Sequence, residues 1–526
     1  MADKFHNNIG YWCSQAVADQ PESIAIFDLC QDSPREVSYA ELDQRMNRFA
    51  AMIWQEGLRP GDRLAMVIGN RFEFVEVIFG AMRAGIVPVP LNTKLGAEAL
   101  DYIIRDADCV AAVIDPDCNS FIEDVVERSS IKFRYSFAPS GPGWQHYEGA
   151  LMAAPAEFDP PELDNDHPSF QPYTSGSTGR PKGVVLTHEG QLWWIRACQE
   201  YWPEGSDERT LAAVPLYHKN AMAGAIKPML QCGGSVVLLP NFEPRRFLNV
   251  LSEYKCTQAG AVPAVFTLLL QEKDLIESLD FSALNSFSIG SAPVPGELMR
   301  AVKESFGVSV SESYGLTEGG PVMIGTPTDG RQVPVGSCGV AWPEGEIKLV
   351  DSDGKEVDDQ GELWVRNPGV TPGYHNLPEV NAKRLRDGWL ATGDLFRVDE
   401  DGFYFFLGRT DDMFNSGGEN IYPKEVENLI IAHPAVQDVC VVPLEHAIKG
   451  YVPVAMVTAA QGQATDEDEL KQYCLTNGPA YAHPRRVLIA DEIPLNGAGK
   501  IDRQQVSMLL ESEFAAADSG PEQGIS

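Results

Sequence analysis

The stretch "RLAMVIGNRFEFVEVIFGAMRAGIVPVPLN", Arg63 to Asn92, reads as a strand, a helix and a second strand in immediate succession. RLAMVIG is an apolar run of strand length closed by Gly69, EFVEVIFGAMRAG carries apolar residues at helical spacing and stops at Gly85, and IVPVPLN is strand-like again. That alternation implies parallel strands joined by crossover helices, the signature of an α/β protein. Just upstream, Ser38 and Glu41 in "SYAELDQRMNRFAAMIWQEG" form a capping box, and Leu42, Met46, Phe49, Ala50 and Ile53 follow on one helical face until Gly57 offers a stop. Downstream the rhythm returns at GGSVVLLP, at PAVFTLLLQEKDL, expected as one helix, and at the strand-like SFSIGSAPVP.

Residues 1–407 are therefore expected to form a large α/β body of several subdomains, with parallel sheets, helices and a β-rich portion at "GEIKLVDSDGKEVDDQGELWVRNPG". After "GRTDDMFNSGGENIYP" the pattern changes. Pro423 suits the first position of a helix continued by Val426, Leu429 and Ile430, and AVQDVCVVPL reads as a strand. A small α+β domain over 414–510 follows, joined to the body through 408–413, with 511–526 as a disordered tail.

A chain of 526 residues can bury more than one core. Its net charge of −34 opposes a nucleic-acid or anionic-membrane partner, because an acidic surface repels polyanions, so any anionic ligand must be met by local donors. The ten cysteines include no Cys-x-x-Cys pair and no zinc-like grouping, which fits free thiols in a reducing compartment. The N-terminus lacks an apolar signal core, and the longest apolar run, near AGAVPAVFTLLL, is too short to span a bilayer. A cytoplasmic protein without integral membrane association is expected, as a monomer or homodimer.

Donors are concentrated in "YTSGSTGRPKGVVLTH", Tyr173 to His188. Backbone N–H groups at Gly176, Gly179 and Gly183, the hydroxyls of Thr174, Ser175, Ser177 and Thr178, and the Lys182 ammonium together complement a polyphosphate. The ordinary reading of such a stretch is a solvated linker. Its glycine spacing, with Gly183 after Lys182, excludes a Walker-type loop. Other segments add nucleotide chemistry. Tyr314 in SESYGLTEGG can stack on a purine, a nearby carboxylate can hold Mg²⁺, and Asp394 in DGWLATGDLF, with Arg409 in LGRTDD, suits ribose hydroxyls. Each alone is more often structural or solvated.

These motifs, followed by GELWVRNPGVTPGY, GRTDDMFNSGGENIYPKEVE and PLNGAGKIDR, stand in the order found in the adenylate-forming enzymes, which the chain resembles from GLRPGDRLAMVIGN to Arg503. That family comprises acyl- and aryl-CoA synthetases, peptide-synthetase adenylation domains and luciferases. The resemblance implies ATP, Mg²⁺ and coenzyme A as co-substrates, and two steps: a carboxylate attacks the α-phosphorus of ATP to give an acyl-adenylate, then a thiol displaces AMP. It assigns the 174–179 loop and Lys182 to the β- and γ-phosphates, Thr317 to the α-phosphate, Glu318 to Mg²⁺, and Asp394 and Arg409 to ribose. Lys500 would bridge the acid and the phosphate. Asp411 would be the hinge about which a mobile small domain turns between the steps, bringing Gly417 and Gly418 to the pantetheine arm. Two departures are Ser313, where many relatives have glycine, and Tyr451, where a glutamate is common.

The resemblance also places an acyl pocket at VPLYHKNAMAGAIKP, AGAVPAVF and SIGSAP, with His218 as an aromatic gate and Lys219, Ala221, Gly290 and Ser291 around it. Small residues there leave room for an aryl or medium-chain acid. Lys219 must either carry its ammonium to solvent along its apolar stem or meet a polar group, such as one at the far end of the acid. Only 26 residues follow Lys500, too few for a carrier domain of the ~50 residues an independent fold needs. Coenzyme A is therefore the expected acceptor. The alternatives are a separate carrier protein, luciferase-type oxidation, or a non-catalytic binding protein on the same scaffold.

Overall fold

The quoted stretch folds as strand Arg63–Val67, helix Phe72–Arg83 and strand Val87–Pro90. Both strands are parallel neighbours, Leu64 facing Pro88 and Ala65 facing Val89, in a five-stranded sheet that continues through Cys109–Ile114, Phe133–Ser136 and Gln145–His146. Leu64 through Val67 are all buried, as strands covered on both faces require. The computed structural model describes residues 7–31, 33–138, 140–175, 180–201, 205–290, 294, 296–416, 419–446, 449–460, 462–479, 483–495 and 501–518.

The expected N-cap at Ser38 forms, while the Glu41 carboxylate pairs with Arg35 rather than closing the capping box. Ser38 Oγ accepts from the Glu41 amide at 3.2 Å, and helix Tyr39–Gln55 buries Leu42, Met46, Phe49, Ala50 and Ile53. A second, nine-stranded sheet has a parallel centre formed by Ile24–Asp28, Ser235–Leu238, Arg209–Ala212, Gln258–Ala261, Ser286–Gly290 and Ser309–Leu316. Asp28, at the end of the first of these strands, is buried and accepts from the Phe72 amide at 3.0 Å, so one carboxylate satisfies an otherwise orphaned donor at the start of Phe72–Arg83. PAVFTLLLQEKDL is two helices, Pro263–Leu269 and Lys273–Ser278, rather than one. Short-range bonds from Gln271 to the Leu268 carbonyl and from Glu272 to that of Leu269 tighten the turn between them, which lets Leu275 and Ile276 pack on the same core as Phe266 and Leu269.

Chain contacts divide the protein into a larger unit, Met1–Lys348, Trp364–Thr392 and Asp399–Tyr404, and a smaller one, Leu349–Leu363, Gly393–Val398 and Phe405–Ser526. The β-rich portion contributes a hairpin to the smaller unit, Leu349 pairing with Val357, and a later hairpin, Leu385 with Leu390, lies in the larger. In the smaller unit a five-stranded sheet is built on the antiparallel pair Val436–His446 and Gly450–Ala459. Successive residues face opposite sides. Val439 and Val441 pack with Val426 and Ile430 of helix Pro423–Ile431, whereas Cys440 and Val442 pack with Val506, Leu510 and Phe514 of helix Arg503–Asp518. Of the expected tail, residues 511–518 continue helix Arg503–Asp518, with Phe514 4% exposed, because Val506, Leu510 and Phe514 recur every fourth residue and make one apolar stripe, and residues 519–526 lie outside the described residues.

Candidate active site

The glycine-rich stretch is flanked by two paired strands. Tyr173–Ser175 pairs antiparallel with the start of Pro181–Thr187, Ser175 facing Pro181 and Thr174 facing Lys182. Gly176, Ser177, Thr178 and Gly179 lie outside the described residues. The hairpin base is anchored by Tyr173, whose hydroxyl donates to Asp106 Oδ2 at 2.6 Å. Gly183 is required there, since a Cβ would come within 2.9 Å of Gln171 Nε2 and of the Tyr173 ring. On the other edge of Pro181–Thr187, Val184 pairs with Tyr374.

That pairing brings Tyr374 to Glu318. The Tyr374 hydroxyl donates to Glu318 Oε1 at 3.0 Å, Thr174 Oγ1 lies 3.5 Å from the same oxygen, and the Thr371 amide donates to the Glu318 carbonyl at 2.7 Å. Asn381 fixes Tyr374 in turn, accepting from its amide at 2.7 Å and donating to its carbonyl at 3.0 Å. Lys182 Nζ stands 5.9 Å from the Tyr374 ring centroid. Mg²⁺ usually takes one or two protein carboxylates and fills its octahedron with phosphate and water oxygens, a demand that a carboxylate steered by two hydroxyls beside a phosphate-type hairpin fits. Among the described residues no cluster of three or more His, Cys, Asp or Glu has metal-holding geometry.

Thr317 and Glu318 follow strand Ser309–Leu316, which carries Tyr314 and lies parallel to Ser286–Gly290, with Gly290 beside Ser313. Gly315 sits where the returning strand crosses: a Cβ there would be 1.8 Å from the Pro321 carbonyl oxygen. Ser291 lies outside the described residues.

The His218–Lys219 pair opens a helical segment whose middle, Met222–Ile226, widens into a π-turn. One turn further on, Pro228 has no amide to return to the carbonyl of Gly224. Trp194 Nε1 donates to the Ala223 carbonyl at 3.0 Å and Trp12 Nε1 to that of Lys227 at 3.1 Å. Ala221 and Ala223 are buried. Lys219 does not reach solvent as one reading of the sequence expected: it is 7% exposed and donates to the Thr317 carbonyl at 2.7 Å and, more weakly, to that of Leu316 at 3.5 Å. Burial pulls its pKa down to about 7, while the Glu318 charge acts in the opposite direction. Lys227, 1% exposed, bonds to Gln191 Oε1; burial, followed by repulsion from Lys219, lowers it to about 7 as well.

In the smaller unit Arg409 gathers two other expected residues. Its guanidinium donates to Asp394 Oδ1 at 2.9 Å and, through Nε, to Asp411 Oδ1 at 3.0 Å. Thr410 is fixed between them, its amide donating to the Gly393 carbonyl at 2.8 Å. Gly417, Gly418 and Lys500 lie outside the described residues. The chain flanking Lys500 is held by an antiparallel bridge between Leu495 and Ile501 and by the Asp502 amide on the Pro494 carbonyl at 2.8 Å. Arg503 then pairs with Glu427 at 2.6 Å and with Asp412 at 3.7 Å.

Thr174, Lys182, Lys219, Thr317 and Glu318 are thus assembled in one unit, and Asp394, Arg409 and Asp411 in the other. Sequence reasoning missed Tyr374 and Thr371. Both lie in GELWVRNPGVTPGY, a segment read as a motif without a role for its last tyrosine.

A phosphate-type hairpin, a held carboxylate and a separate α+β unit define an enzyme class that works on nucleotides. The chain belongs to the AMP-binding enzymes: residues 13–375 match the AMP-binding enzyme family and residues 425–500 the AMP-binding enzyme C-terminal domain. Feruloyl-CoA synthase of an Amycolatopsis species is 33% identical over 508 residues, covering 95% of this chain and 99% of that protein. The crystal structure of ATP-bound MatB from Rhodopseudomonas palustris superposes with a TM-score of 0.87 at 30% identity, covering 96% of this chain and 100% of the other. The anthranilate CoA ligase AuaEII, in complex with anthranoyl-AMP, gives 0.86 at 25% identity, covering 97% and 98%.

Proposed function

We propose that this chain is an AMP-forming acid–CoA ligase acting on an aryl or medium-chain carboxylic acid. The observation that carries the proposal is the Glu318 carboxylate, held by Tyr374 and Thr174 beside the glycine-rich hairpin. The named relatives support it, two of them being ligases of aromatic acids.

In the first step the acid's carboxylate oxygen bonds to the α-phosphorus of ATP and pyrophosphate leaves. The chain supplies position and charge rather than a nucleophile. The hairpin and Lys182 would cradle the β- and γ-phosphates, Thr317 would orient the α-phosphate, and Asp394 with Arg409 would hold the ribose. Lys500 would hold the attacking carboxylate against phosphorus. Mg²⁺, bound by Glu318, would neutralise charge on the phosphates. In the second step the CoA sulfur attacks the acyl carbon, AMP leaves, and the backbone at Gly417 and Gly418 would pass close to the pantetheine arm. Asp411 would be the hinge between the two steps, and His218 the gate between acid and thiol. The cytoplasm is the proposed location, because none of the ten cysteines is joined in a disulfide and the chemistry consumes ATP and CoA. Among the described residues no helix is long and apolar enough to cross a membrane.

The test is pyrophosphate release and thioester formation with purified chain, ATP, Mg²⁺ and CoA across aliphatic, aromatic and dicarboxylic acids. Acid-dependent pyrophosphate and AMP with an aryl- or acyl-CoA product is the expected result. Pyrophosphate without a CoA product would direct the acyl group to a carrier protein, and no pyrophosphate from any acid would leave a binding protein.

A further inference from the structure

We infer that Lys219 is a positioning residue for adenylation: clamped on the Thr317 carbonyl, it fixes the Thr317–Glu318 peptide so that Glu318 presents its carboxylate correctly to Mg²⁺ on the nucleotide. The inference rests on the reading of Glu318 as the Mg²⁺ carboxylate.

This segment is held at three places. Thr371 binds the carbonyl of Glu318, Tyr374 and Thr174 steer its carboxylate, and Lys219 grips the peptide before it, through the carbonyls of Thr317 and Leu316. The helical segment that follows Lys219 is itself tied down, by Trp194 at the Ala223 carbonyl and by Trp12 at that of Lys227, which limits how far the lysine can move. The charge that acts on it is that of Glu318, attractive, and Lys219 in turn repels Lys227. Without Lys219 the Thr317 carbonyl would lose its donor and the Glu318 carboxylate its nearby cation, loosening the metal-facing group while leaving the hairpin intact.

The experiment compares wild type, Lys219→Met, Glu318→Gln and the double variant. It measures calorimetric binding of a non-hydrolysable ATP analogue with Mg²⁺ and with EDTA, and the two half-reactions separately. Methionine keeps the apolar stem and removes only the donors. Lys219→Met should weaken Mg²⁺-dependent binding roughly tenfold or more, as expected for a lost charge-assisted hydrogen bond. The loss should vanish in EDTA and in the Glu318→Gln background. Adenylation should slow by a similar factor for every acid, with thioester formation from supplied acyl-adenylate spared. A loss of equal size with and without Mg²⁺, additivity with Glu318→Gln, or a loss confined to acids bearing a polar far end would overturn the role. If Glu318→Gln leaves the Mg²⁺ dependence intact, the reading of Glu318 falls and the inference with it. If only Lys219→Met leaves it intact, Lys219 alone is misassigned.

Discussion

At Glu318 a carboxylate becomes specific through the groups that hold it. Tyr374 donates to it at 3.0 Å from a strand residue whose backbone is fixed by Asn381 and by pairing with Val184. Tyr374→Phe removes one hydrogen bond to a charged group, about 1.5–3 kcal/mol, and should raise the Mg²⁺ concentration for half-maximal adenylation roughly tenfold or more. Titrating Mg²⁺ at fixed acid and ATP checks this, and an unchanged midpoint would detach Tyr374 from the metal. On its proposed role, Lys500→Ala should slow adenylation by roughly a hundredfold or more, as loss of a preorganised transition-state donor does. Thioester formation from supplied acyl-adenylate should persist. Equal loss of both half-reactions in a folded variant would remove that role.

At the scale of elements, two segments store cost for the sake of the site. The strand Ser309–Leu316 admits only glycine at 315, since a Cβ would overlap the Pro321 carbonyl. Gly315→Ala should cost about 2 kcal/mol or more and displace Thr317 and Glu318, visible as a lower melting temperature together with lost adenylation. The π-turn segment buries Lys227, whose folded pKa of about 7 lies below its unfolded value. An unfolded lysine titrates near ~10.4, so between roughly pH 7 and 10.4 the unfolded chain binds the extra proton. Stability therefore rises with pH across that window, and the full burial penalty is felt below it. Replacing the ammonium and its partner together, Lys227→Met with Gln191→Leu, should stabilise the protein at or below pH 7 by about 1–4 kcal/mol and flatten the rise above it. Thermal melts from pH 6 to 10 read both effects, and a variant less stable than wild type at pH 7 would show that Lys227 stabilises the turn as a cation.

At the scale of the molecule, the proposed hinge makes the strongest demand. Asp411 is tied through Arg409 to Asp394, so the residue proposed to turn and the pair proposed to hold ribose share one guanidinium. Asp411→Pro fixes φ and should slow the thioester step roughly tenfold or more while leaving adenylation near the wild-type rate. Single-turnover assays of each half-reaction check it, and a thioester step at the wild-type rate would place the hinge elsewhere. Local pattern alone determined the strand–helix–strand rhythm of Arg63–Pro90, the capped helix at Ser38 and the hairpin-like wealth of donors at Thr174–Lys182. These depend on periodicity and on chemistry between near neighbours, which a linear sequence records. The length of helix Pro263–Leu269 and the burial of Phe514 were less legible, because where an apolar stripe stops depends on the core it meets. Tertiary structure decided that Tyr374 steers Glu318, 56 positions away, and that the Lys219 ammonium turns inward to Thr317, 98 positions away, rather than out to water. Sheet order and helix packing choose such partners, and no local spacing encodes which distant carbonyl a buried cation will find.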